Sequence, residues 1–136
     1  WPEKKALCVS DADWFGNPVF ASSSLKDCVS SLEKIKALTE AGKIDLFLPA
    51  HGQVKEGTDQ ILSHLDFHIR HLEVIRNEVL TAYRTSGEIK NVRKLTKILT
   101  RESPLFKSMK VVNYPRLVVF VNNVVAVCLR EEGILN

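Results

Sequence analysis

The chain has 136 residues and a mass of 15.3 kDa, 45% hydrophobic and 26% charged, which is room for one compact domain, or one and a half small ones, with an ordinary core. Six Gly and five Pro exclude collagen and long disorder, and three cysteines with no CxxC pairing exclude a disulfide scaffold. The net charge of +3 is unevenly placed: residues 1 to 83 carry 9 basic and 12 acidic groups, residues 84 to 116 carry 9 and 2, and residues 117 to 136 carry 1 and 2.

The longest apolar run, Leu117 to Leu129, is broken by Asn122 and Asn123 and is too short to span a bilayer. A soluble protein without a membrane segment is expected. Cys8, Cys28 and Cys128 cannot all pair within one chain, so a reducing compartment, the cytoplasm, is the simpler expectation. The chain opens on Trp1 without a charged and then apolar leader, which suggests a part of a longer protein.

Ala6 to Ser10, ALCVS, is short, apolar and followed at once by the polar SDAD, the pattern of a buried strand ending in an exposed loop. Turn residues Gly16, Asn17 and Pro18 follow, and Ser22, Ser23 and Ser24 offer N-caps for a helix. Its apolar side comprises Leu25, Cys28, Val29, Leu32, Ile35 and Leu38, and Gly42 is placed to end it. Leu46-Phe47-Leu48 reads as a second strand, closed by Pro49. Strand, helix, strand makes a βαβ unit, which predicts parallel strands joined by a right-handed crossover. Ligands in open α/β sheets gather beyond the carboxyl ends of the strands, where both Asp11 and His51 fall.

From Thr58 the spacing of Ile61, Leu65, His68, Leu72, Ile75, Val79 and Ala82 predicts one long helix to about Arg84. Asn91 to Arg101 predicts another, with Val92, Leu95 and Leu99 on one side and Pro104 at its exit. The connection to Pro115 reads as irregular. Leu117, Phe120, Val121, Val124, Val125 and Cys128 then repeat at helical spacing despite their β-branched content, and Gly133 would terminate that helix.

An aspartate after a strand can cap a turn or bind a cation, and both readings are open for Asp11. His51 lies in LPAHG, where Pro49 restricts the backbone and Gly52 tolerates unusual dihedrals, so its imidazole is presented from a tight turn. A carboxylate and a neutral imidazole are ligand types shared by zinc, iron and manganese. His64, His68 and His71, spaced i, i+4 and i+7, would project from one flank of the long helix. Three imidazoles on one helix do not easily converge on one ion, so packing or surface exposure is the expectation there, with His68 partly buried.

SDADWF after a strand, then SSLEKIKAL, then DLFLPAHG resemble the second half of the metallo-β-lactamase superfamily over roughly residues 5 to 80. The resemblance implies an α/β fold: half of an αββα sandwich in residues 1 to 56, followed by a helical, winged-helix-like extension in residues 57 to 136. It also implies that Asp11 bridges two divalent metal ions, zinc before iron or manganese, and that His51 is the last histidine ligand. Ser10 and Ala50 replace glycines of the family pattern, and neither change removes a ligand. The family's His-x-His-x-Asp-His motif and its intermediate histidine are absent from these residues. The resemblance therefore implies a hydrolase whose dimetal site needs an amino-terminal half, acting on an ester, thioester, lactone or phosphodiester. Asp13 and Trp14 are then candidates to contact substrate, beside the alternatives of a solvated loop aspartate and a ring covering the sheet edge.

Lys90, Arg93, Lys94, Lys97 and Arg101 line up on one side of the predicted helix opposite Val92, Leu95 and Leu99. This is either a solvated helix face or a ridge along which phosphates, including those of RNA, could lie. A non-catalytic nucleic-acid-binding module is thus the alternative function. A third possibility is an interaction protein, as a homo-oligomer or paired with an amino-terminal half through an exposed sheet edge.

Overall fold

A computed structural model describes residues 2–10, 24–49, 52–111 and 116–136. A short 3₁₀ turn, Pro2–Lys4, precedes β1 (Ala6–Ser10), α1 (Leu25–Glu40), β2 (Leu46–Pro49), β3 (Lys55–Glu56), α2 (Thr58–Thr85), α3 (Val92–Glu102), α4 (Pro104–Val111) and α5 (Arg116–Glu131). The architecture is α/β, mostly helical, with one three-stranded mixed sheet in the order β1-β2-β3. Two compact units divide within α2, between Leu72 and Glu73. No helix among the described residues is long and apolar enough to cross a membrane.

The first unit holds the sheet, the body of α1 and the first half of α2. β1 and β2 are parallel, as the βαβ pattern requires, in the register Ala6↔Leu46, Leu7↔Phe47, Cys8↔Leu48 and Ser10↔Pro49. The skipped residue, Val9, makes a bulge next to the strand ends. The chain enters β1 through Lys5, whose φ of +47° is costly for a residue with a Cβ. Its carbonyl accepts from the amides of Asp45 and Leu46 at 2.9 and 3.2 Å, and its ammonium lies 3.3 Å from the Asp45 carboxylate. This conformation thereby pins the start of β2 to the start of β1.

α1 ends as expected at Gly42, which adopts a φ of +67° while its amide donates to Thr39 and that of Lys43 to Leu38, the paired bonds of a Schellman motif. Its inward side differs by one position from the expected one. Leu38 is 41% exposed, whereas Thr39 is fully buried. The Thr39 hydroxyl donates to the Ile35 carbonyl at 2.9 Å, so its polar atom is satisfied within the helix and its methyl can face inward. Lys36 donates to Asp66 of α2 at 2.7 Å, and this pairing raises the Lys36 ammonium above its ordinary range. Leu32, Ile44, Phe47, Ile61, Leu65, Ile69 and Leu72 form the apolar interior of this unit.

The antiparallel strand β3 was not expected. It is two residues long, pairs Leu46↔Glu56 and Phe47↔Lys55, and covers the second edge of β2. A pair of charged residues carries no alternating pattern, so only the pairing itself reveals the strand.

The second unit contains the rest of α2 with α3, α4 and α5. Asn91 caps α3, accepting at 3.0 Å from the Lys94 amide. The segment after Pro104 is not an irregular connection but the helix α4. Ser103 ends α3 and begins α4: its amide donates to Leu99, while its hydroxyl accepts from the Phe106 amide at 3.1 Å and donates to Glu78. Pro104 takes the first helical position, where its missing N–H costs nothing.

α5 packs against both α3 and α4. Val121, Val124, Val125 and Cys128 are buried as the spacing predicts, but Val127 and Leu129 are buried too. At about 100° per residue these six occupy over half of the helix circumference, so the buried face is wider than the spaced positions alone. Arg76 of α2 donates to Glu132, just beyond α5, which keeps the guanidinium charged to higher pH than usual.

Candidate functional site

The sheet brings together the two strand ends that precede the candidate metal-ligand segments. β1 stops at Ser10 and β2 at Pro49, and these two residues are register partners. Asp11 is the next residue after β1, and Ala50 and His51 are the next after β2. Asp11, Asp13, Trp14 and His51 themselves lie outside the described residues. Gly52, with a φ of +102°, provides the backbone conformation expected after the histidine.

β2 also connects this edge to α2. Phe47 is fully buried on β2, and its ring meets that of His64 edge-on at 5.5 Å. His64 in turn lies 4.4 Å from His68, with the rings at 73°. The three helix histidines do not converge on a point: His68 is buried, His64 and His71 are half-buried, and His71 stacks on Phe67 at 6.1 Å. Desolvation lowers the His71 pKa, which favours a neutral ring. No group of three or more His, Cys, Asp or Glu among the described residues is arranged to hold a metal ion.

Next to His64 is an open depression of about 450 Å³ lined by Lys55, Asp59, Gln60, Ser63, His64 and Phe67. The sequence reading did not single it out, although residues 59, 60, 63, 64 and 67 share one helix flank. Lys55 joins them because β3 brings it alongside Phe47. Its open mouth and the Phe67 ring, 62% exposed, suit a shallow surface contact rather than an enclosed cofactor site.

The basic candidates belong to the second unit. Arg93, Lys94, Lys97 and Arg101 are exposed on α3, whereas Leu95, Thr96 and Leu99 are buried. Lys90 is also exposed, but it precedes the Asn91 cap and therefore lies outside the helix. Arg101 pairs with its neighbour Glu102 at 2.6 Å. Cys128, enclosed in this unit, has its thiol pushed up to about 12, mainly by burial and further by Glu131, with Arg76 opposing.

No family model matches the chain, and no curated protein or solved structure matches it.

Proposed function

We propose that the chain is the carboxyl-terminal portion of a cytoplasmic, metal-dependent hydrolase of the metallo-β-lactamase superfamily. The observation that carries this reading is the parallel pairing of β1 with β2 out to Ser10 and Pro49. The segments SDADWF and PAHG leave from neighbouring strand ends, at the edge where α/β sheets assemble ligand sites. The Val9 bulge lies at that same edge, a common position for re-aiming side chains beside a site.

The donor chemistry of these segments suits a pair of divalent ions. Asp11 has two carboxylate oxygens with which to bridge, and His51 offers an imidazole to one ion. The remaining ligands belong to the family's His-x-His-x-Asp-His segment in an amino-terminal half. When bound, such a pair supplies Lewis-acid polarisation and a water of near-neutral pKa. Asp13 and Trp14, following Asp11 in sequence, are assigned to the substrate side. The helices of residues 57 to 136 would form a winged-helix-like extension that shapes specificity for an ester, thioester, lactone or phosphodiester.

The test is the intact mass and metal content of the protein isolated from its natural source. A species well above 15.3 kDa with about two metal ions per chain is expected, and Asp11→Ala in it should lose metal and hydrolysis while retaining helical circular dichroism. Full hydrolysis by that variant would reject the reading.

A further inference from the structure

We propose that the exposed side of α3 binds the phosphate backbone of a nucleic acid. At about 100° per residue, Arg93, Lys94, Lys97 and Arg101 fall within an arc of about 100°. The buried Leu95, Thr96 and Leu99 lie on the opposite arc. Lys90 extends the ridge beyond the amino-terminal end of the helix. From Arg93 to Arg101 the helix rises about 12 Å, matching three or four phosphates at about 3.4 Å per charge along one strand.

The decisive feature is that most of these cations are not neutralised by carboxylates among the described residues. Lys90, Arg93, Lys94 and Lys97 make no ion pair with the described residues, whereas Lys36, Arg76 and Arg101 each have a carboxylate partner. Exposed Arg84 and Lys107 add to the excess, and residues 84 to 116 contain only two acidic groups, Glu88 and Glu102. Clustered unpaired cations repel one another and accumulate counterions. A polyanion relieves the repulsion and releases its own condensed ions on binding.

The composition of the ridge favours nucleic acid over an anionic membrane. Surface-seated membrane helices expose apolar residues beside their basic ones. On α3, Leu95 and Leu99 are buried, Val92 and Ile98 are half-buried, and no large apolar side chain is exposed. The contact is therefore electrostatic and sequence-tolerant, since α3 itself carries no aromatic residue on which a base could stack. It stands on the second unit alone and does not require the metal site.

Fluorescence anisotropy of the full chain with a labelled 20-nucleotide single-stranded RNA and a 20-base-pair DNA duplex tests this. Binding to at least one is expected, with log K falling against log salt at a slope of roughly −3 to −4. The double variant Arg93→Glu/Lys97→Glu should weaken binding by about tenfold or more and flatten the slope by about two. A matched control, Lys34→Glu/Lys43→Glu, changes net charge equally at exposed sites in the other unit and should bind far better than the α3 variant. If the α3 variant misfolds by circular dichroism, Arg93→Gln/Lys97→Gln replaces it, with the slope still expected to flatten by about two. Absent or salt-insensitive binding, equal losses in both charge-reversal variants, or binding to phosphatidylserine vesicles without binding to either nucleic acid would overturn the proposal.

Discussion

Ser10 and Pro49 form the last rung of the parallel β1–β2 ladder, so two strand ends separated by nearly 40 positions lie side by side. What holds that rung is the interior behind it. Phe47, two residues before Pro49, is fully buried and meets His64 of α2 edge-on. Phe47→Ala should therefore cost about 3–5 kcal/mol, a large share of the roughly 5–15 kcal/mol available to such a chain. Urea unfolding checks the cost. Phe47→Leu, which keeps most of the volume, should lose clearly less.

Ser103 joins two helices by serving both. Its hydroxyl caps α4 through Phe106 and donates to Glu78, and its amide closes α3 through Leu99. Replacing it with Ala removes the first two interactions and should cost about 1–2 kcal/mol. Ser103→Asp is expected to restore the cap but to set a second carboxylate against Glu78, recovering only part of the loss. Thermal unfolding of both variants, with Glu78→Gln beside Ser103→Asp, separates cap from repulsion.

α4 is hidden in the sequence because Pro104, which marks the end of one helix, is also the first residue of the next. Proline both stops and starts helices, and Ser103 immediately before it is the signal that distinguishes the cases. β1, α1, β2, α2, α3 and α5 were legible because each combines periodic apolar residues with a recognisable cap or stop. Thr39 was not, since its burial depends on a hydroxyl satisfied by Ile35, which composition does not reveal. β3 lacked any pattern of its own. For the candidate site, the strand ends were legible from the βαβ order, and the His64–Phe47 contact required knowing which side of β2 α2 covers.

Thr96 is 5% exposed, and its hydroxyl finds no hydrogen-bond partner among the described residues. Burying such a group costs free energy that a methyl of the same shape does not. Thr96→Val should accordingly be neutral or stabilising by up to about 1 kcal/mol, although valine is not a better helix former. Denaturant midpoints decide this, and a loss above that magnitude would show that the hydroxyl is bonded in solution.

His71 adds a pH dependence whose sign follows from its surroundings. Burial lowers its pKa below the ordinary 6.5, and its ring stacks on Phe67. Below 6.5 the unfolded chain takes up a proton at this position that the folded chain resists, so the stability contributed by the neutral ring is present above 6.5 and declines as pH falls. An NMR titration should place the His71 midpoint below 6.5, and His71→Gln should lose less stability than the parent between neutral pH and pH 5. A midpoint at or above 6.5 would contradict the desolvated ring.

Cys128 gives the complementary prediction at alkaline pH. Its thiol is pushed up to about 12, chiefly by burial, against an ordinary value of 9.0. Between those two values the unfolded chain releases a proton that the folded chain retains, so stability falls as pH rises through the window, by at most about 1.4 kcal/mol per pH unit. The parent should therefore lose stability more steeply than Cys128→Ala above pH 9, even though the variant starts lower because of the cavity it creates. The same burial makes the thiol a poor nucleophile, since only the thiolate reacts. Exposed Cys8 should be alkylated by iodoacetamide at pH 8, whereas Cys128 should react only after denaturation. Mass spectrometry of the labelled peptides reads both, and rapid labelling of Cys128 in the folded chain would show that the interior around this thiol opens far more readily than its burial implies.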